Sequence, residues 1–326
     1  MLTFAARVRI LSYRAGTVRE ARPDELPGLL ASAEGAVWVD ITGPEPADLA
    51  VMRDQFRFHP LAIEDTINQR QRPKIEEYPG HLFIILNPGE AAGTRFTFRE
   101  LDAFVGERYL VTVHPKEEPV VEAAARRVER LCGQGPISSA ALLYVLVDTV
   151  VDTYFPMLDR IGDRIDEVEA EILRRPRDEA LHRLFRLKRG LVEMRKVVAP
   201  QRDMFNVLMR RELPYLSQPD LQYHLRDVYD HLLRVTDMLD TYRELATSSV
   251  DLYVSATSNR LNRVVNRLTM VTVVIGCLAV ITGFYGMNFE RTWPPFAADW
   301  GVPFTLVLMA AAVALAVGIF RSTRWR

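Results

Sequence analysis

Two stretches near the end of the chain, Leu268 to Tyr285 and Gly301 to Phe320, carry no charged side chain. Each approaches the roughly 20 helical residues that cross a hydrocarbon core, so both are predicted to span a membrane. A buried core helix explains one such run, but poorly explains two in succession joined by a short loop. Arg260, Arg263 and Arg267 precede the first run, and Arg321, Arg324 and Arg326 follow the second, while the loop between them carries only Arg291. That asymmetry predicts cytoplasmic chain ends. Tyr285, Phe289, Trp293 and Trp300 gather at the opposite mouth, where amphipathic rings favour the membrane–water interface.

Upstream of the first run, neither proline nor glycine occurs between Pro219 and Gly276. One helix from Asp220 to Tyr285 would extend about 100 Å at 1.5 Å per residue, longer than any compact domain requires. Leu225, Val228, Leu232, Val235, Leu239, Tyr242 and Leu245 recur along it at steps of three and four, which predicts one stripe facing partners. Two spans hardly enclose an aqueous path, so a ring of copies is expected.

Before this stalk, short β-branched or aromatic runs (Arg7 to Tyr13, Ala36 to Ile41, His81 to Leu86, Tyr109 to His114) alternate with helical stretches around Asp24 to Ala33 and Pro60 to Asn68. They predict an α/β layered domain. Ser139 to Leu173 and Arg177 to Arg211 read as a helical hairpin, turned at Arg174-Arg175-Pro176 and interrupted by Pro200. Its first arm is acidic (Asp159, Asp163, Asp166, Glu167, Glu169, Glu171) and its second basic (Arg183, Arg186, Lys188, Arg189, Arg195, Lys196). A solvated, salt-bridged pair accounts for this, and attraction of cations by the acidic arm is the alternative.

The expected fold is an α+β membrane protein. It has an N-terminal α/β/α layered cytoplasmic domain, a helical hairpin, and a very long stalk helix continuing into the first of two C-terminal transmembrane helices. The expected segments are 1–135 (α/β), 136–218 (hairpin), 219–267 (cytoplasmic stalk), 268–286 (pore-lining transmembrane helix), 287–300 (extracytoplasmic loop), 301–320 (second transmembrane helix) and 321–326 (basic cytoplasmic tail).

Composition narrows the function. A net charge of -1, with no basic stripe interleaved with aromatics, argues against nucleic acid as a partner. Met1 to Arg14 contains charges and no apolar core before small residues, so no cleaved signal peptide is expected and the bulk should stay cytoplasmic, with the helices in the inner (plasma) membrane. Cys132 and Cys277 read as small buried residues. No Gly-x-x-x-x-Gly-Lys-Ser/Thr loop is present to cradle nucleotide phosphates.

The first apolar run ends in Tyr285-Gly286-Met287-Asn288-Phe289-Glu290, and here the chain resembles the CorA magnesium-transporter family, whose signature is Gly-Met-Asn at this place. His59 to Asp65, Gln71 to Tyr78, Tyr109 to His114, Arg226 to His231 and Ser258 to Asn262 also resemble family segments, in family order. The resemblance implies a homopentameric funnel whose long helices line one central pore, a gate closed by cytoplasmic Mg2+, and Mg2+ as both transported and regulatory ion. It further implies a polar ring at Asn262, a hydrophobic gate at Val265 and Leu268, and a regulatory carboxylate at Asp227 whose partner comes from a neighbouring subunit. Glu90, read as lying in the loop Asn87 to Gly93, is the nearest acidic candidate for that partner. Two departures stand out. Gly276 and Ala279 replace a bulky hydrophobic residue and a threonine common in the family, and the loop keeps only Glu290 and Asp299 as carboxylates for ion attraction.

Elementary chemistry agrees with that resemblance. Mg2+ holds its water tightly and prefers oxygen, so a fast pore should meet the hydrated ion with neutral oxygens. Copies of Asn288 would form a ring of amide carbonyls at the mouth, with Gly286 allowing close backbone approach and the Met287 carbonyl as a further acceptor. Deeper, Asn262, Asn266, Thr269, Val273, Gly276, Ala279 or Val280, and Gly283 form a small or polar stripe, the candidate pore lining. Close helix packing is the other reading of Gly276 and Gly283. The function expected is passive, potential-driven uptake of Mg2+, with Co2+ or Ni2+ as further substrates. His224, Asp227 and His231 share a helical face and keep a zinc transporter of the same superfamily open as an alternative. A non-conducting membrane-anchored coiled-coil sensor is the other. An enzyme is not expected, because His59, Glu64 and Asp65 match no metal-hydrolase spacing.

Overall fold

In a computed structural model of the chain, residues 7–14, 16–32, 34–69, 71–92, 95–133, 135–211, 221–287, 293 and 299–322 are described. They form two compact units, one from the chain up to Glu171 and Arg177–Val250, the other from Ile172–Pro176 and from Asp251 onward. The elements run β1 (Arg7–Arg14), β2 (Thr17–Ala21), α1 (Leu26–Ala31), β3 (Ala36–Thr42), α2 (Pro46–Asp54), α3 (Pro60–Ile67), β4 (Lys74–Tyr78) and β5 (His81–Leu86). Then come β6 (Gly89–Ala92), β7 (Arg95–Phe98), β8 (Leu101–Val105), β9 (Tyr109–His114), α4 (Pro119–Cys132), α5 (Ser139–Asp152), α6 (Tyr154–Arg174), α7 (Asp178–Leu208), α8 (Leu221–Tyr285) and α9 (Gly301–Ser322).

The first unit is a mixed α/β domain. Its sheet has the order β2-β1-β3-β9-β8-β5-β4, with β3 and β9 parallel and the other neighbours antiparallel. Strands such as Ala36–Thr42 and His81–Leu86 are apolar on both sides because both sheet faces are covered. Val37, Val39, Ile41, Phe83 and Ile85 meet α1, α2 and α3 through Leu26, Met52, Phe58 and Ala62. On the opposite face, Trp38, Leu82, Ile84 and Leu86 meet residues of α4, α5 and α6, and the same core takes in Leu225, Val228, Leu232, Val235 and Leu239 of α8. The α/β/α layering expected from the sequence is therefore present.

Two features of the helical hairpin depart from the sequence expectations. The arm from Ser139 is two helices, not one: Pro156 has no N–H for the Asp152 carbonyl, and Thr153 turns its hydroxyl to the Val150 carbonyl while accepting from the Gly89 N–H at 3.0 Å. The apolar α5 is long enough with α6 to cross a membrane, yet most of its side chains are buried against the sheet. Conversely, Pro200 does not interrupt α7, which continues to Leu208. Next to it Gln201 donates to the Tyr154 hydroxyl at 2.6 Å, and that hydroxyl donates to the Asn87 carbonyl at 2.7 Å, anchoring the weakened turn.

The hairpin arms are joined mainly by apolar packing of Leu158, Ile161 and Ile165 with Leu187, Leu191 and Met194, and among the described residues one ion pair, Glu171 with Arg183, links the two arms. The stalk stripe holds as far as Leu239, but Leu245 is 42% exposed and Ala246 takes the buried place. Gly162 permits the close approach of α6 to α8, because a Cβ there would stand 2.9 Å from the Tyr242 hydroxyl.

A buried polar network pins β3 to β9. Trp38 Nε1 donates to Thr112 Oγ1 at 2.9 Å, Thr112 donates to Asp40, and His114 lies between Asp40 (2.9 Å) and the Lys116 carbonyl (2.6 Å). Both ring nitrogens face oxygen acceptors, which favours the imidazolium. Burial draws the His114 pKa down, but the hydrogen bond and charge of Asp40 outweigh it and hold the pKa above the usual value. A raised folded pKa gives stability that is complete below about pH 6.5 and lost as pH rises through the folded value. Denaturant unfolding of the full chain should show that loss on the alkaline side, and His114→Gln should flatten it; equal slopes in both proteins would mean the imidazole is neutral.

Candidate functional site

The second unit contains the C-terminal part of α8 and α9, both long and apolar enough to cross a membrane. Their apolar side chains are largely exposed, including Ile275 and Val280 of α8 and Leu306, Val307 and Leu315 of α9. Such a surface belongs in lipid or against other copies. On α8 the less exposed positions are Met270, Val274, Cys277, Leu278, Ile281 and Tyr285, a helical stripe. A matching stripe on α9 comprises Thr305, Met309, Ala312, Val313, Ala316 and Val317. Cys277 is thus half-buried, while Cys132 is fully buried, as expected for it.

Roughly 120° around α8 from that face runs the small or polar stripe Asn262, Asn266, Thr269, Val273, Gly276, Val280 and Gly283. Every one of these positions is exposed in the single chain. A Cβ built on Gly276 or Gly283 meets nothing within 4 Å among the described residues, so no described residue packs there. Val265 and Leu268, 50% and 66% exposed, and Ala279 stand to one side of the stripe. Thr269 donates its hydroxyl to the Val265 carbonyl at 2.9 Å, leaving lone pairs for a passing donor such as the water of a hydrated ion.

At the end of α8 the Gly286 N–H closes the last turn on the Thr282 carbonyl at 2.9 Å, and the Met287 N–H reaches the Phe284 carbonyl at 3.3 Å. A Cβ on Gly286 would crowd that Thr282 oxygen at 3.1 Å, so the turn suits glycine. Met287 is exposed. Asn288, Phe289 and Glu290 lie outside the described residues; Asp299 is exposed in the turn before α9. Trp293 and Trp300 do gather at this end, with ring centroids 6.4 Å apart, and Phe304 joins both. The Tyr285 hydroxyl donates to the Trp293 carbonyl at 3.4 Å.

Asp227 occupies a different place, in the first unit. Tyr144, Asp148 and Asp152, at steps of four on α5, face His224, Asp227 and His231, at steps of three and four on α8. His224 stacks on Tyr144 with centroids 4.3 Å apart, Tyr144 donates to Asp227 at 2.9 Å, and His231 Nδ1 lies 3.2 Å from Asp148. One ligand atom each of Asp148, Asp152 and His231 falls within 4.8 Å of the others, a possible metal set. Arg127 also reaches Asp148 at 2.6 Å and Asp152 at 3.8 Å, so a cation entering there competes with a guanidinium. Burial, then the neighbouring Asp148 charge, raise the Asp152 pKa despite Arg127. The α5 stripe was not singled out from the sequence; its signal is two carboxylates four residues apart in an otherwise apolar helix.

Glu90 lies on strand β6 of a two-stranded hairpin and not in a loop, and it accepts from Arg99 at 2.5 Å, the same guanidinium that holds Glu118. The enzyme reading loses its cluster, because His59 caps α3 and stacks on Tyr78 while Asp65 pairs with Lys74.

A layered α/β domain and a long helix running on into membrane-length apolar segments mark a membrane protein. The family model described as CorA-like Mg2+ transporter protein matches residues 33–322. The chain is 31% identical to the cobalt/magnesium transport protein CorA of Thermotoga maritima, over 98% of this chain and 92% of that one. It is 33% identical to the putative metal ion transporter YfjQ of Bacillus subtilis, over 85% of each. Its fold is similar to the complete structure of the CorA magnesium transporter from Methanocaldococcus jannaschii, with TM-score 0.76, 22% identity and 98% of each chain covered. The full-length CmaX structure is similar at TM-score 0.75 and 22% identity, covering 99% of this chain and 98% of that one. The chain belongs to the CorA-like Mg2+ transporter family; it is a membrane transporter and not an enzyme.

Proposed function

We propose that the chain is a passive channel for hydrated Mg2+, with Co2+ or Ni2+ as further substrates, assembled as a homopentamer in the plasma membrane with both ends in the cytoplasm. One observation carries this reading: α8 presents an uncharged stripe, Asn262 to Gly283, to the outside of the single chain, on a face other than the one that α9 covers. A ring of copies gathers those stripes around one axis. The relatives named cobalt/magnesium transport protein and magnesium transporter support the choice of ion.

Selection falls to Gly286, Met287 and Asn288, whose amide and carbonyl oxygens meet the ion's water shell without stripping it. Asn262, Val265, Leu268, Thr269, Gly276, Ala279 and Gly283 line the path, and Glu290 and Asp299 draw cations to the outer mouth. A potential of 100 mV contributes about 2.3 kcal/mol per charge, about 4.6 for a divalent ion, which is enough to drive uptake without a pump. Segments 1–135, 136–218 and 219–267 form the cytoplasmic part, 268–286 and 301–320 the spans, 287–300 the outer loop and 321–326 the basic tail.

Gating rests on Asp227. Its carboxylate is half-exposed and has one oxygen engaged by Tyr144, leaving room for a regulatory Mg2+ bridged to a neighbour's carboxylate, Glu90 being the candidate. Mg2+ bound there when the cell is replete stabilises the closed ring, and its loss frees the gate. A zinc-transporting reading draws on the His231 nitrogen beside Asp148 and Asp152.

Dye-reported flux into liposomes holding the purified protein tests the proposal with Mg2+, Co2+, Ni2+ and Zn2+ in parallel. Mg2+ should enter, and Asn288→Ala should reduce entry to the level of empty liposomes; undiminished flux in that variant removes the selectivity ring. Zn2+ flux alone would favour the zinc reading, and none for any cation a non-conducting sensor. Asp227→Asn should leave uptake intact and weaken inhibition by internal Mg2+ at least severalfold, whereas unchanged inhibition moves the regulatory site elsewhere.

A further inference from the structure

Where the apolar segments of α8 and α9 give way to charge, a cavity of about 630 Å³ opens within the second unit. Arg263, Arg267 and Arg321 contribute guanidinium groups to it and Asn266, at the edge of the uncharged stripe nearest α9, an amide, while Met270, Val271 and Phe320 make its apolar part. Among the described residues no carboxylate lines it. Among the described residues none of the three arginines has an acidic partner, and Arg263 Nε merely reaches the Asn259 carbonyl of its own helix at 3.3 Å.

We propose that this cavity binds the phosphate of an anionic phospholipid. Three cations converging on one cavity repel each other, and an anion seated among them removes that repulsion. Guanidinium groups suit phosphate oxygens, which they bind in paired hydrogen bonds. The apolar part selects between sources: a free phosphate satisfies the arginines but offers nothing to Met270 and Val271, whereas a lipid supplies glycerol and acyl carbons to them. The level in the chain fits as well, since Arg267 immediately precedes the uncharged run of α8 and Arg321 immediately follows that of α9. Headgroup phosphates lie at such a boundary. The inference rests on the membrane reading of the two helices and is independent of which cation passes. By tying α8 to α9 at the charged end of the pore helix, a bound lipid would make the protein responsive to membrane composition.

Native mass spectrometry of the full chain released from detergent tests this, with dioleoyl phosphatidylglycerol and dioleoyl phosphatidylcholine supplied at equal concentration. Phosphatidylglycerol should be retained at least tenfold more than phosphatidylcholine. Arg267→Gln with Arg321→Gln should erase that preference, Arg263→Gln alone should weaken it, and Arg321→Lys should largely keep it, which separates charge from misfolding. Equal retention of both lipids, or a preference unchanged by the glutamine substitutions, overturns the proposal. So does displacement of phosphatidylglycerol by an equal concentration of inorganic phosphate, which would mark a site for free anions. Liposome flux is scored separately: absent flux with an intact lipid preference counts against transport and not against the lipid site.

Discussion

Which face of α8 meets α9 fixes what every other face of α8 is free to do. In the second unit a partly covered stripe centred on Val274 and Ile281 matches one on α9 centred on Val313 and Ala316. That leaves Asn262, Thr269, Gly276 and Gly283 exposed on another side, with no described residue against Gly276 or Gly283. Within the span that face carries the Thr269 hydroxyl and the bare backbone of Gly276 and Gly283, and just before it the Asn262 amide, a combination that lipid covers poorly. A shared aqueous axis removes that difficulty, and the membrane-length apolar surfaces on the remaining sides then meet lipid and neighbouring copies.

The same helix begins in the first unit as an ordinary core element, with Leu225 to Leu239 buried on the α/β domain. Polar groups enter the α5–α8 contact at Tyr144, Asp148 and Asp152 opposite His224, Asp227 and His231. Charges held in a helix–helix contact respond to any cation that competes for them, which is why the proposed regulation is placed at this contact. Arg127 already supplies positive charge to Asp148 and Asp152, while Asp227 receives the Tyr144 phenol hydrogen bond, has the His231 imidazole 4.0 Å away, and stays half-exposed. That difference singles out Asp227 as the carboxylate with ligand capacity to spare.

Much of this was legible in the residues. The lack of proline and glycine before Gly276 foretold α8, and steps of three and four foretold its buried face down to Leu239. Ala246 takes the buried place because it lies seven residues after Leu239 and continues the spacing, whereas Leu245 falls about 100° off that face. Strands apolar on both faces, such as His81–Leu86, were plain, but β2 was hidden by its exposed charges and β8 by the buried Asp102 in its centre. Prolines misled in both directions: Pro156 ended the continuity of an apolar arm, whereas Pro200 was carried inside a helix anchored through Gln201 and Tyr154. The α5 side of the polar contact stayed hidden because a step of four on one helix gains meaning only once the helix facing it is known. Asn288 and Glu290 remain legible from sequence alone, since they lie outside the described residues.

Thiol labelling with a charged, membrane-impermeant reagent tests most directly whether the uncharged stripe surrounds water. With Cys277 replaced by serine, Thr269→Cys and Gly276→Cys should react rapidly and be protected by Mg2+ or its mimics, while Ile275→Cys, on a lipid-side face, should stay unmodified. Rapid labelling at Ile275 with none at Thr269 and Gly276 would contradict the account, because the stripe would then face lipid and leave no path through the ring.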